Sequence, residues 1–168
     1  MHRRRPLLRQ GFTLIETLIV VAIIGLLMAI GIPMWLNSVN RAKQTSSVAD
    51  MREIASAWEA RAADYRSYSA AGGTFTMPPM PLTGTDVQAL IQPTYIRKMP
   101  FLDGWRRPFE FAVDAPASAT TYAIRSLGRD GQPDVKTTYT IGQTSRFDCD
   151  IVYSSGAFIV YPQGAQKN

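Results

Sequence analysis

From Phe12 to Leu36 the chain is apolar at nearly every position, and Glu16 is the only charged residue in the run. The twenty residues from Thr17 to Leu36 carry no formal charge, and a membrane helix needs ~20 such residues. An acid at the border of the run is out of pattern, because a charge in the bilayer core costs about 2.5–3.5 kcal/mol by insertion scales. After Leu36 the pattern changes but does not stop. Val48, Met51, Ala55, Trp58, Ala62 and Tyr65 recur at intervals of 3, 4, 3, 4 and 3. That is one face of a helix, with Arg52, Glu53, Glu59, Arg61 and Asp64 mostly on the others. No proline or glycine interrupts from Asn37 to Ser69. The spacing therefore predicts one helix from about Phe12 to about Tyr68, apolar all round over 12–36 and amphipathic over 37–68. Within the apolar part, Gly25 and Ala29 form a small-xxx-small pair that permits close helix approach. Pro33 removes one backbone donor and crowds the carbonyl of Ala29, so a kink or local melting is expected there.

Residues 69–168 read as a globular part. Ser69 to Thr85 is broken by glycine and proline and reads as a surface loop. Thr85-Asp86 has the form of a helix N-cap ahead of Val87, Ala89, Leu90 and Ile91, with Pro93 ending a short helix. Asp103-Gly104 is a turn dipeptide. Phe109 to Val113 and Thr120 to Ser126 read as strands, and Ile151 to Tyr153 with Ala157 to Tyr161 flank a hairpin turn at Ser154-Ser155-Gly156. The order predicts an α+β fold, a long amino-terminal helix packed on a small antiparallel sheet.

Charge and reactive residues narrow the function. The net charge is +5, from 18 Lys and Arg against 13 acids. Arg3, Arg4, Arg5 and Arg9 lie ahead of the apolar run, and without them 14 basic residues face 13 acids. A basic leader differs from a basic binding face, so no nucleic-acid partner is expected. Arginines before an apolar span place Met1 in the cytoplasm and the rest outside. Cys149 is the single cysteine, which excludes an intrachain disulfide. His2 is the single histidine. If the leader is removed, no imidazole remains for Ser-His-Asp or Cys-His catalysis or for a Cys/His zinc site. An enzyme would have to work with carboxylates alone, and no enzymatic activity is expected.

An ordinary secretory signal fits poorly, because no small-residue cleavage site follows Leu36. The segment "RQGFTLIETLIVVAIIGLLMAIGIP" instead resembles the type III signal of type IV pilins and type II secretion pseudopilins. The likeness spans Gly11 to Pro33 and includes Gly11 before Phe12, Glu16 as fifth residue of the mature chain, Gly25 and Pro33. It implies a pilin-like fold, cleavage between Gly11 and Phe12 by a prepilin peptidase on the cytoplasmic side, and N-methylation of Phe12. It also gives Glu16 a purpose. In a filament its carboxylate can pair with the Phe12 amine of a neighbouring subunit, and a charge pair in low dielectric fixes register because leaving either group unpaired is costly.

"MPFLDGWRRPFEF", "YAIRSLGRDGQPD" and "FDCDIVYSSGAF" resemble the globular domain of the major pseudopilins of type II secretion, over about Tyr95 to Ile151. In that family a serine-leucine-glycine-x-aspartate-glycine loop binds calcium with acids downstream. The resemblance implies a calcium site from the Leu127 carbonyl, Asp130, and Asp148 or Asp150. Calcium takes six to eight oxygens in an irregular loop, and the acids Asp130, Asp134, Asp148 and Asp150 suit it in type. Two departures stand out: "VKTTYTIGQTSRF" is a long insertion between the acidic parts, and its Lys136 and Arg146 are available to pair with these aspartates.

The expected organisation is a leader over 1–11, a membrane and filament-core segment over 12–36, the amphipathic helix over 37–68, and a periplasmic globular part over 69–168. The expected function is a structural subunit of a type II secretion pseudopilus that helps export folded proteins. Its implied partners are other copies of itself, minor pseudopilins, the prepilin peptidase and N-methyltransferase, and the inner-membrane assembly platform with its ATPase. A type IV pilin in a surface filament for adhesion, motility or DNA uptake is the alternative, though many such pilins close a carboxyl-terminal loop with a disulfide. A membrane-anchored periplasmic binding module is the third reading.

Overall fold

The computed structural model of the chain describes residues 11–65, 74–115, 121–135 and 137–167. By its internal contacts the chain divides into two units, one up to Leu36 and one from Asn37 onward. Helix α1 runs from Leu14 to Tyr65, 52 residues with Pro33 inside it. The local melting expected at Pro33 does not occur, since helical structure continues through it. The expected end at Tyr68 lies outside the described residues.

In the first unit every large apolar side chain from Phe12 to Leu36 is exposed. The helix is long and apolar enough to cross a membrane.

The second unit is an α+β domain. After α1 come β1 (Thr74–Thr76), β2 (Met80–Leu82), α2 (Gly84–Ile91), β3 (Glu110–Val113), β4 (Tyr122–Ser126), β5 (Thr138–Thr140), β6 (Gly142–Arg146), β7 (Ile151–Ser154) and β8 (Ala157–Lys167). Six strands form one sheet in the order β2-β3-β4-β7-β8-β6, and β1 pairs with β5 separately. The expected antiparallel pairing holds from β2 to β8. The β6 edge departs from it, because β6 runs parallel to β8. At 11 residues β8 is far longer than the four-residue β7, and its outer edge offers backbone groups that β6 takes up. The expected loop from Ser69 to Thr85 also holds strands β1 and β2.

Burial follows the helical stripe. Met51, Ala55 and Trp58 are buried and Val48 packs against them. The side chains of Ala62 and Tyr65 lie outside the described set. Ile54 joins the core, and the polar Ser47 and Gln44, seven and ten residues earlier, are also buried. Buried polar groups need partners. The Gln44 amide donates to Gln166 Oε1 (3.3 Å), and the Ser47 hydroxyl donates to the Lys43 carbonyl (3.1 Å). Trp58 stacks on Tyr122 with ring centroids 4.6 Å apart.

The strands alternate as period two requires. Tyr122 and Ile124 of β4, with Ile151 and Tyr153 of β7, enter the core under α1. Ala123 and Val152 enter a second cluster on the opposite face with Tyr139, Ile159 and Val160. Both faces are covered, and β7 is buried at all four positions. At the β7–β8 turn, Ser155 and Gly156 have φ of 43° and 95°, the left-handed pair that a two-residue hairpin favours. Helix α2 is capped by Thr83, two residues before the expected Thr85. The Thr83 hydroxyl accepts the Asp86 N–H while Asp86 Oδ2 accepts the Thr83 N–H. This is a capping box.

Candidate functional site

Gly11, Phe12 and Glu16 stand at the entry to α1. Phe12 is 77% exposed. Thr13 lies just ahead of the helix. Glu16 Oε2 accepts the Thr13 N–H (2.8 Å) and the Thr13 hydroxyl (2.6 Å), and the Glu16 N–H reaches back to Thr13 Oγ1 (3.3 Å). This is a second capping box, T-x-x-E in the sequence. The carboxylate also lies at the end of the helix where the macrodipole favours negative charge. The spacing of Thr13 and Glu16 carries that signal in the sequence. Gly25 has nothing within 4 Å of the position a Cβ would take, so that face of the helix is open to a neighbour.

The four residues expected to form a calcium site are placed on two segments, the loop after β4 and the turn between β6 and β7. On the first segment the Leu127 carbonyl accepts the Gly131 N–H (3.2 Å). Asp130 is exposed, and its Oδ1 accepts the Gln132 N–H (3.0 Å). On the second segment Asp148 is taken by arginine. Arg129 Nε and Nη2 donate to its two oxygens at 2.8 and 3.0 Å, and Arg146 approaches at 3.5 Å. The Arg129 guanidinium holds the Asp148 carboxyl below the usual carboxylate range. Arg129 was missed in the sequence because it occupies the variable position of the loop motif. Arg146 was foreseen as a partner, and Lys136 lies outside the described residues.

Asp150 points elsewhere. It is fully buried, and its Oδ2 accepts the Asp134 N–H (3.1 Å) and the Tyr139 hydroxyl. In return the Asp150 N–H donates to Asp134 Oδ2 (2.7 Å). Asp150 Oδ1 meets no hydrogen-bond donor among the described residues. Burial pushes its carboxyl up to about 6 against the Tyr139 and Asp134 hydrogen bonds, which pull it down. Burial also raises the thiol of Cys149, which makes it a poor nucleophile at neutral pH.

These residues do not fit a calcium ion as placed. Both Asp148 oxygens are engaged by Arg129, Asp130 turns on its own loop, and Asp150 is bound inward. Among the described residues no three acidic, histidine or cysteine side chains are grouped to hold a metal.

The loop is joined to the rest of the domain by the turn at Asp103. Asp103 is buried. Its Oδ1 accepts the N–H groups of Trp105 and Arg107, both at 2.9 Å, and its Oδ2 accepts the Ser126 hydroxyl at 2.8 Å. This sends Arg107 toward the loop, where its Nη1 donates to the Gly128 carbonyl (2.9 Å). The dipeptide read as a plain turn is therefore a buried anchor.

An exposed apolar helix that opens on a capped glutamate and continues into an α+β domain defines a class, the pilin-like subunits. The comparisons give the particular family. Residues 8–32 match the prokaryotic N-terminal methylation motif. Residues 34–143 match the model for type II secretion system protein G. The type II secretion system core protein G of Pseudomonas aeruginosa is 31% identical over 133 residues, covering 79% of this chain and 89% of the relative. The core protein G of Aeromonas hydrophila is 26% identical over 133 residues, with the same coverage. That of Dickeya chrysanthemi is 27% identical over 135 residues, 80% of this chain and 84% of the relative. No solved structure matches the chain. The chain belongs to the type II secretion system protein G family. It is a pseudopilin, a structural subunit.

Proposed function

We propose that the chain is made with Met1 in the cytoplasm and its α+β domain in the periplasm, is cut between Gly11 and Phe12, and is N-methylated on Phe12. The mature subunit then leaves the bacterial inner membrane and polymerises through α1 into a pseudopilus with other copies and minor pseudopilins. The assembly platform and its ATPase drive that step, and the subunit itself has no enzymatic activity. One observation carries the reading. Glu16 is the single acid from Phe12 to Leu36, a stretch whose large apolar side chains are all exposed. Such a surface is stable only in lipid or against other copies of itself. A filament follows when one patch repeatedly meets a different patch and the ring does not close. Mass spectrometry of the protein from membranes of cells with the peptidase tests the processing. The expected mature chain begins at Phe12 and carries one extra methyl group. A chain that keeps residues 1–11 overturns the proposed processing.

A further inference from the structure

The geometry points to a junction that is closed by guanidinium groups and needs no divalent cation: Arg129 bridges the segments Gly128–Gly131 and Phe147–Asp150, and Arg107 ties Gly128 to the turn at Asp103. A cation at such a junction would neutralise a carboxylate and collect carbonyl oxygens. Arg129 performs the first task with a two-nitrogen grip on Asp148, the fork-to-carboxylate fit that lysine cannot give. Arg107 performs the second by donating to the Gly128 carbonyl.

The segments also touch through backbone. The Arg129 N–H donates to the Phe147 carbonyl (2.9 Å). A Cβ on Gly128 would lie 2.6 Å from the carbonyl oxygens of both Asp148 and Cys149. A Cβ on Gly131 would lie 2.5 Å from the Arg107 guanidinium. Both glycines have positive φ, 61° and 71°, so the close approach and the backbone turn require glycine together. Arg146 adds a second positive charge beside Asp148. An incoming cation would have to displace Arg129 from both oxygens of Asp148 and settle beside Arg146.

The test is a thermal melt of the full chain in detergent, with calcium chloride and with excess chelator. A bound ligand at a hundred times its dissociation constant would raise the melt by about 5–10 °C. The expected result is the same melting temperature in both. The second arm is a mutant cycle. Arg129→Ala and Asp148→Ala should each lower the melt by several degrees, and the double variant should melt no lower than the worse single one. A calcium-dependent rise in the unmodified chain overturns the proposal. So does an additive double variant, which would mean that the pair does not close the junction. The calcium arm needs no variant to fold, and neither arm depends on filament assembly.

Discussion

A side chain on Gly104 would begin 2.0 Å from the carbonyl oxygen of Lys43. The turn after Asp103 is thus pressed onto the backbone of α1, and the Gly104 N–H is held there by the Ser47 hydroxyl (2.9 Å). The contact explains why a serine is fully buried on the helix. Gly104→Ala should destabilise the domain by about 2–3 kcal/mol, because neither backbone can yield cheaply. Ser47→Ala should cost about 1 kcal/mol, the loss of one hydrogen-bond acceptor. Denaturant unfolding of both variants checks the order, and equal effects would contradict this account of the turn.

Trp58 fills the space between α1 and the sheet, stacked on Tyr122 and tilted against Phe111 at 6.2 Å. Trp58→Ala should cost about 3–5 kcal/mol by leaving a cavity. Its neighbour Glu59 accepts the hydroxyls of Tyr122 (2.7 Å) and Tyr153 (2.9 Å) on Oε1. Tyr153→Phe removes one of these and should cost only about 1 kcal/mol. A Trp58→Ala variant as stable as Tyr153→Phe would show that the helix does not depend on this stack.

The two downstream aspartates should respond to pH with opposite signs. Burial raises Asp150 from 3.8 to about 6 in the folded chain. The folded state then binds its proton more tightly than the unfolded state, so stability falls as pH rises through that interval. Asp150→Asn should flatten this slope. Asp148 is lowered by Arg129, so its contribution is present above the ordinary carboxylate value and is lost as pH falls through its own. Melting curves across this range separate the two. An Asp150→Asn variant with the unmodified slope would contradict the assignment.

Glu16 closes a capping box with Thr13, and the proposed function gives it a second, separable role, offering a charge to a neighbouring subunit. Thr13→Val removes the hydroxyl that caps the helix, a loss of about 1 kcal/mol, but leaves the carboxylate. Assembly in that variant should fall several-fold at most, whereas Glu16→Ala should abolish it. The yield of cross-linked filaments measures both. Complete loss in Thr13→Val would mean that the cap, and not the charge, is the essential role.

The helix and strands β3, β4, β7 and β8 were legible in the sequence because apolar spacing reports burial directly. Met51, Ala55, Trp58, Phe111 and Val113 fall where the pattern puts them. What it could not carry was polar geometry. Gln44 and Ser47 break the apolar stripe and are buried because partners distant in sequence receive them. Strand β6, "GQTSR", has no apolar alternation and is fixed by backbone pairing with β8 and by the Gln166 amide, which donates to the Thr144 carbonyl. Asp148 and Asp150 are two residues apart and look like one site. In the fold one turns out to Arg129 and the other inward to Tyr139 and Asp134. Only tertiary contacts make that distinction, and they also decide whether an acidic loop takes a metal or an arginine.

In the proposed function Glu16 acts between subunits. The most direct measurement is cross-linking of pseudopili in cells that supply the other secretion components, comparing the unmodified chain with Glu16→Ala. The Glu16→Ala protein is expected to be folded, membrane-bound and equal in amount, yet to form no filament and support no secretion. Filaments of normal yield from Glu16→Ala would contradict that role.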